Sequence, residues 1–128
     1  MGVYNKPWGT EEVWASTHHS VGKILTIKRS QRLSRKYHTV KNHSIRILEG
    51  TLIVEVGPFE PGGEIKEVRL SPGMTYYLPS NTIHRFCAGP YGAVLVELSN
   101  AGPSDSVRLE DDYRRVTKVP EKPPQSEK

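Results

Sequence analysis

Five histidines hold most of the chemistry this sequence could perform: His18, His19, His38, His43 and His84. His18 and His19 are adjacent in the polar stretch ASTHHSVG, which reads as a solvated loop. His38, His43 and His84 each lie on or beside a strand-like segment. Neutral imidazole is the commonest protein metal ligand. Three of them converging on one point would hold a divalent ion and leave open positions for a substrate. Taken singly, each more often reads as a hydrogen-bonded structural histidine, so the case rests on the spacing around them. Cys87, the single cysteine, excludes an intramolecular disulfide and any multi-cysteine zinc or iron–sulfur site.

The elements that must position these residues read as strands. Apolar residues come in runs of four to seven bounded by Gly, Pro, Ser and Asn, and they rarely recur at helical spacing. Strands are expected at about 21–28, 32–38, 43–48, 51–56, 65–70, 74–78, 84–88 and 93–98. The punctuation between them is Glu49-Gly50, PFEPGG, SPG, PSN and AGPYG. Short strands at this spacing, with β-branched runs such as GKILTIK, TLIVEV and GAVLVEL, predict an all-β antiparallel sandwich or barrel.

One domain is expected, over residues 1–115. The Pro-rich, charged segment 116–128 is expected to be a disordered tail. The formal charge of +4 is spread along the chain and does not argue for nucleic acid. No apolar run is long enough to span a membrane. The opening MGVYNKPWGTEEVW has no secretory leader, and Lys6 stands where N-myristoylation needs Ser or Thr. A soluble cytoplasmic protein is expected.

Two segments resemble the paired motifs of the cupin superfamily. In YHTVKNHSIRILEG, six residues separate His43 from Gly50, and His38 lies five positions before His43. The resemblance puts His38 at a metal-binding histidine and His43 where cupins carry a glutamate. In GMTYYLPSNTIHRFCA, Gly73, Pro79 and His84 match the second motif, with Asn81 in the glycine place, a mild exchange because Asn, like Gly, tolerates positive φ in a turn. The implied fold is the cupin jelly roll, a small antiparallel β-barrel. The implied cofactor is one divalent transition metal on His38, His43 and His84. A site of three neutral imidazoles, without the carboxylate, selects Fe, Ni, Zn or Cu over Mg or Ca. A narrower resemblance links KPWG, QRLS, LEGTL, PSNTIHRF and VRLEDDYRR to the cupin domain of type II mannose-6-phosphate isomerases. It spans residues 6 to 115 and implies carbohydrate chemistry; dimers are common among cupins, so a homodimer is expected.

Alternation along the strands suggests the rest of the pocket. If His38 points inward, then Lys36, Ser34 and Arg32 share its face. They would grip a phosphate or carboxylate, or else snorkel to water at the barrel rim. Glu97, in the apolar run AVLVELSN, either faces solvent or enters the pocket. Tyr76 is a lesser pocket candidate whose plainer reading is core packing. Cys87 alternates away from His84 and reads as a packed thiol, Trp8 and Trp14 as packing residues, and EDDY at 110–113 as a structural or dimer-contact element. The expected function is a metalloenzyme for a small, polar, anionic substrate, best matched by aldose–ketose isomerisation of a sugar phosphate. Glu97 and Lys36 are its candidate catalytic groups, with Arg32, Ser34, Lys36 and Tyr76 binding substrate. Two alternatives stay open: a three-histidine metal oxygenase, and a non-catalytic metal- or sugar-binding module.

Overall fold

The computed structural model describes residues 2–115. The expected tail at 116–128 lies outside the described residues. Nine antiparallel strands form one curled sheet: β1 (Gly2–Lys6), β2 (Gly9–Ser16), β3 (Ser20–Ile27), β4 (Arg35–His38), β5 (His43–Pro58), β6 (Lys66–Leu70), β7 (Thr75–Leu78), β8 (Thr82–Asn100) and β9 (Ser106–Glu110). No helix occurs among the described residues, as the period-2 patterning predicts. His18 and His19 fall in the β2–β3 turn, where the polar composition placed them.

The sheet runs β1-β2-β3-β8-β4-β9, with β5 paired to β8, β6 and β7. Its two longest strands do most of the folding work. Each serves both halves of the barrel: the start of β5 pairs with the end of β8 (His43↔Ser99 to Gly50↔Ala93), and the end of β5 with the start of β8 (Leu52↔Ala88 to Pro58↔Thr82). The sequence reading splits each into two strands, because Glu49-Gly50 and the AGPYG run look like turns. They are corners within continuous strands. Gly50 has φ +74, and a Cβ there would stand 2.0 Å from the Gly92 carbonyl oxygen. Only glycine permits this approach, so both strands bend at one place.

The inner face carries Leu25, Ile27, Ile45, Ile47, Leu52, Val54, Leu70, Leu78, Phe86 and Leu95, with Trp8 closing one end. Trp14 departs from expectation: it is 46% exposed. Alternation along β2 puts it on the outer face with Glu12 and Ser16, beside a bulge between Val13 and Ala15, and its indole lies over Gly22. The expected strands begin at residue 21 and end at 98, so β1, β2 and β9 lie outside them; GVYNK, GTEEVWAS and SVRLE have too few consecutive β-branched and aromatic residues to stand out.

The Asn81 backbone occupies the left-handed region with φ 59, which Asn, like Gly, tolerates. Asn81→Gly is therefore expected to change stability by less than about 0.5 kcal/mol. Gly50→Ala should cost more than about 2 kcal/mol, since strain and backbone collision add. Urea denaturation of the two variants checks this. Equal effects would mean that the β5–β8 corner is not the constraint.

Candidate metal and substrate site

His38 ends β4, His43 begins β5 and His84 lies near the start of β8. β4 meets β8 through the Lys36↔His84 pair, and β5 meets β8 along its length, so the register brings all three imidazoles to one end of the barrel interior. Ring centroids are separated by 4.3 Å (His38–His43), 5.6 Å (His38–His84) and 6.4 Å (His43–His84).

Their hydrogen bonds fix which nitrogens remain available. His84 Nδ1 lies 3.2 Å from the Thr82 carbonyl, which can only accept, so Nδ1 holds the proton and Nε2 is left with its lone pair. His38 Nδ1 lies 2.8 Å from Asp105 Oδ1, which orients that ring the same way. His43 Nδ1 is buried without a partner, and its Nε2 sits 3.9 Å from Glu97 Oε2. Burial, with the neighbouring His38, His84 and Lys36, pushes the His43 pKa down to about 2. Burial and Lys36 push His84 to about 3, against the Thr82 hydrogen bond. Both rings are therefore neutral at pH 7, the form that ligates metal.

Asp105, absent from the sequence reading, organises this corner. Burial opposes its charge. The bonds from His38 and from the backbone N–H groups of Lys41 and Val40, each 2.7 Å from Oδ2, outweigh it and hold the carboxyl well below its ordinary range. The sequence signal was weak, since an aspartate in the loop PSDS looks like turn chemistry.

The inner wall beside the histidines is polar. Lys36 stands opposite Arg108 in the β4–β9 ladder, and Ser34, fully buried, accepts a hydrogen bond from Arg108 Nε at 3.3 Å. Burial lowers the Lys36 pKa to about 8, and nearby Glu97 offsets part of that. Burial raises Glu97, against the pull of Lys23 and Lys36. Lys23 lies opposite Glu97 in the β3–β8 ladder and pairs with Glu11 at 3.3 Å.

Glu97, Lys36 and Ser34 thus share one interior with the three histidines. Tyr76 lies on the same inner face, opposite Ile45 and packed on the core. Arg32 does not join them. The alternation that would carry it inward fails, because Leu33 enters the core and residues 33–34 are not in a strand. Arg32 turns outward to Asp112, at 2.7 and 2.9 Å. Asp112 and Glu110 also flank Arg85, a fully buried cation whose Nε donates to the Leu33 carbonyl. EDDY is therefore a structural element that fastens the end of the described chain. The Cys87 thiol is pushed up to about 11, chiefly by burial, which suits packing and not nucleophilic attack.

The donor set fits a divalent transition metal in kind: two imidazoles with lone pairs freed at Nε2, and a third with an orphaned buried nitrogen. As the side chains stand, no three His, Cys, Asp or Glu groups among the described residues close on one point.

No protein-family model matches the sequence, and no curated protein matches it significantly. Solved structures do. KdgF from Halomonas sp. is 19% identical with a TM-score of 0.66, over 78% of this chain and 87% of that one. CapF from Staphylococcus aureus, a capsular polysaccharide assembling protein, is 16% identical with a TM-score of 0.76. It matches 84% of this chain, which spans only 32% of CapF. An uncharacterised Klebsiella pneumoniae protein with a double-stranded β-helix domain is 15% identical with a TM-score of 0.66, over 86% of each chain. The fold is that of the cupins, the double-stranded β-helix. The narrower likeness to the isomerase domain has no family model or curated relative behind it.

Two outcomes follow for the metal-free protein. His43 and His84 are held neutral in the fold but take protons when unfolded. Their contribution to stability is therefore complete above about pH 6.5 and falls with decreasing pH, by up to about 1.4 kcal/mol per unit for each ring. Thermal melts in chelator from pH 7.5 to 5 should show this slope, and the His43→Asn variant should show a shallower one. In metal titrations, Asp105→Asn should weaken affinity about tenfold or more while leaving strand content intact. Undiminished affinity would remove Asp105 from the site.

Proposed function

We propose that this chain is a metal-dependent enzyme for a small anionic substrate, with aldose–ketose isomerisation of a sugar phosphate as its best-matching reaction. One observation carries the reading: three imidazoles, two of them held neutral, face the same interior as the Lys36 and Glu97 side chains. A barrel core has no use for five ionisable groups in one place unless a ligand meets them.

A divalent metal on His38, His43 and His84 would supply positive charge beside the carbonyl and hydroxyl oxygens of a substrate. Lys36, still largely cationic at pH 7, and Arg108, steadied by Ser34, would bind a phosphate by charge-assisted hydrogen bonds. Arg108 takes the part that the sequence reading gave to Arg32. Glu97, made more basic by burial, would accept a proton from the carbon beside the carbonyl and return it to the former carbonyl carbon, while the hydroxyl proton of the first carbon passes to the former carbonyl oxygen. The substrate is neither oxidised nor reduced overall. Tyr76 would line the floor by packing. That CapF is a capsular polysaccharide assembling protein agrees with a carbohydrate substrate.

The three-histidine oxygenase remains a second reading for one reason: a ligand set without a carboxylate leaves the full charge of the ion on open positions.

A thermal-shift panel of sugar phosphates on metal-loaded protein, followed by isomerase assays on the binders, tests the proposal. Stabilisation by a sugar phosphate is expected, lost in Lys36→Ala while bound metal stays. Glu97→Gln should bind the same compound and lose at least about a hundredfold in turnover. Binding without turnover would leave a sugar-phosphate-binding module. No binding to any member would overturn the anionic-sugar reading in favour of the oxygenase.

A further inference from the structure

The side of the sheet facing away from the histidines carries an exposed apolar strip that includes Trp14, Leu98 and Tyr77. In register across β2, β3, β8, β5 and β7 run two adjacent rows. One is Glu12, Ile24, Val96, Arg46 and Thr75; the other is Ala15, Gly22, Leu98, Ser44 and Tyr77. The Trp14 indole lies flat over Gly22. Trp14, Leu98 and Tyr77 are each about half exposed.

We infer that this face is a dimer surface, occupied by a second copy of the chain. The argument is charge complementarity written into the register. Glu12 and Arg46 sit in the same row, three strands and about 14 Å apart, too far to pair with each other. Both are exposed, and neither has an ion-pair partner among the described residues. A two-fold axis along the strands, midway between β3 and β8, lays β3 over β8 of the second copy and β2 over its β5. Ile24 then meets Val96, the Trp14 indole above Gly22 meets Leu98, and Glu12 meets Arg46. Symmetry makes every contact twice, so an apolar strip is flanked by two ion pairs. Face-to-face sheets pack with their strands close to aligned, as this operation requires. The pairs set register and exclude other partners, and the apolar strip supplies affinity. Alternation along β8 keeps the two functions apart: Val96 and Leu98 face the second copy, and Glu97 between them faces the barrel interior.

Sedimentation equilibrium of the full chain at micromolar concentration tests this. Wild type should sediment as a dimer. Glu12→Arg and Arg46→Glu should each weaken association about tenfold or more, and the double variant should restore it, because like charges then meet in neither pair. Leu98→Glu should give a monomer. Should that variant prove misfolded by circular dichroism, the two exposed charge reversals still decide. A monomeric wild type overturns the inference. So does a dimer that is indifferent to both reversals, since it must form through another face.

Discussion

The site depends on β5 and β8 bending at one point. Each strand must cross from one half of the barrel to the other without breaking its ladder, and the close approach of Gly50 to Gly92 is what lets both do so. Once they bend together, the start of β5 is bound to the end of β8, and the start of β8 to the end of β5. His43 and Glu97 then belong to one end of the barrel, and His84 is drawn to the same end by its pairing with Lys36. The motif glycine after His43 therefore acts on the chemistry through backbone geometry, with no side chain of its own.

What the bend brings together is costly to bury. Three imidazoles, an amine and a carboxylate occupy an interior otherwise lined by Ile, Leu, Val and Phe. The fold meets part of that cost locally. Asp105 and the Thr82 carbonyl take one nitrogen each of His38 and His84. His43 Nδ1 is left unsatisfied, and burial holds the Lys36 amine well below its ordinary pKa. Polar groups left in this state inside a native barrel are where a bound cation and a bound anion would recover free energy.

Much of the fold was legible, because turn residues and β-branched runs punctuate the chain strongly. The corners at Gly50 and Gly92 were misread as strand ends. Local signals cannot distinguish a glycine that ends a strand from one that lets a strand bend beside another backbone. At the site, the histidine spacing pointed to His38, His43 and His84; alternation put Ser34 and Lys36 on the His38 face, and it left Glu97 open between solvent and pocket. It misplaced Arg32, because period-2 counting holds only while the strand is regular, and residues 33–34 interrupt it. Asp105 and Arg108 were invisible to local reading. They reach the histidines through the pairing of β9 with β4, a contact about 70 residues apart in sequence that no short-range pattern encodes.

The central claim is that the polar end of this barrel is a three-imidazole metal centre. X-ray absorption at the metal edge, on protein purified without added metal or chelator, tests it most directly. The account predicts about one transition-metal ion per chain, with a first shell of nitrogen and oxygen whose outer scattering marks three imidazole rings. Protein that holds no stoichiometric metal even after loading, or a bound ion whose spectrum lacks imidazole scattering, would contradict it.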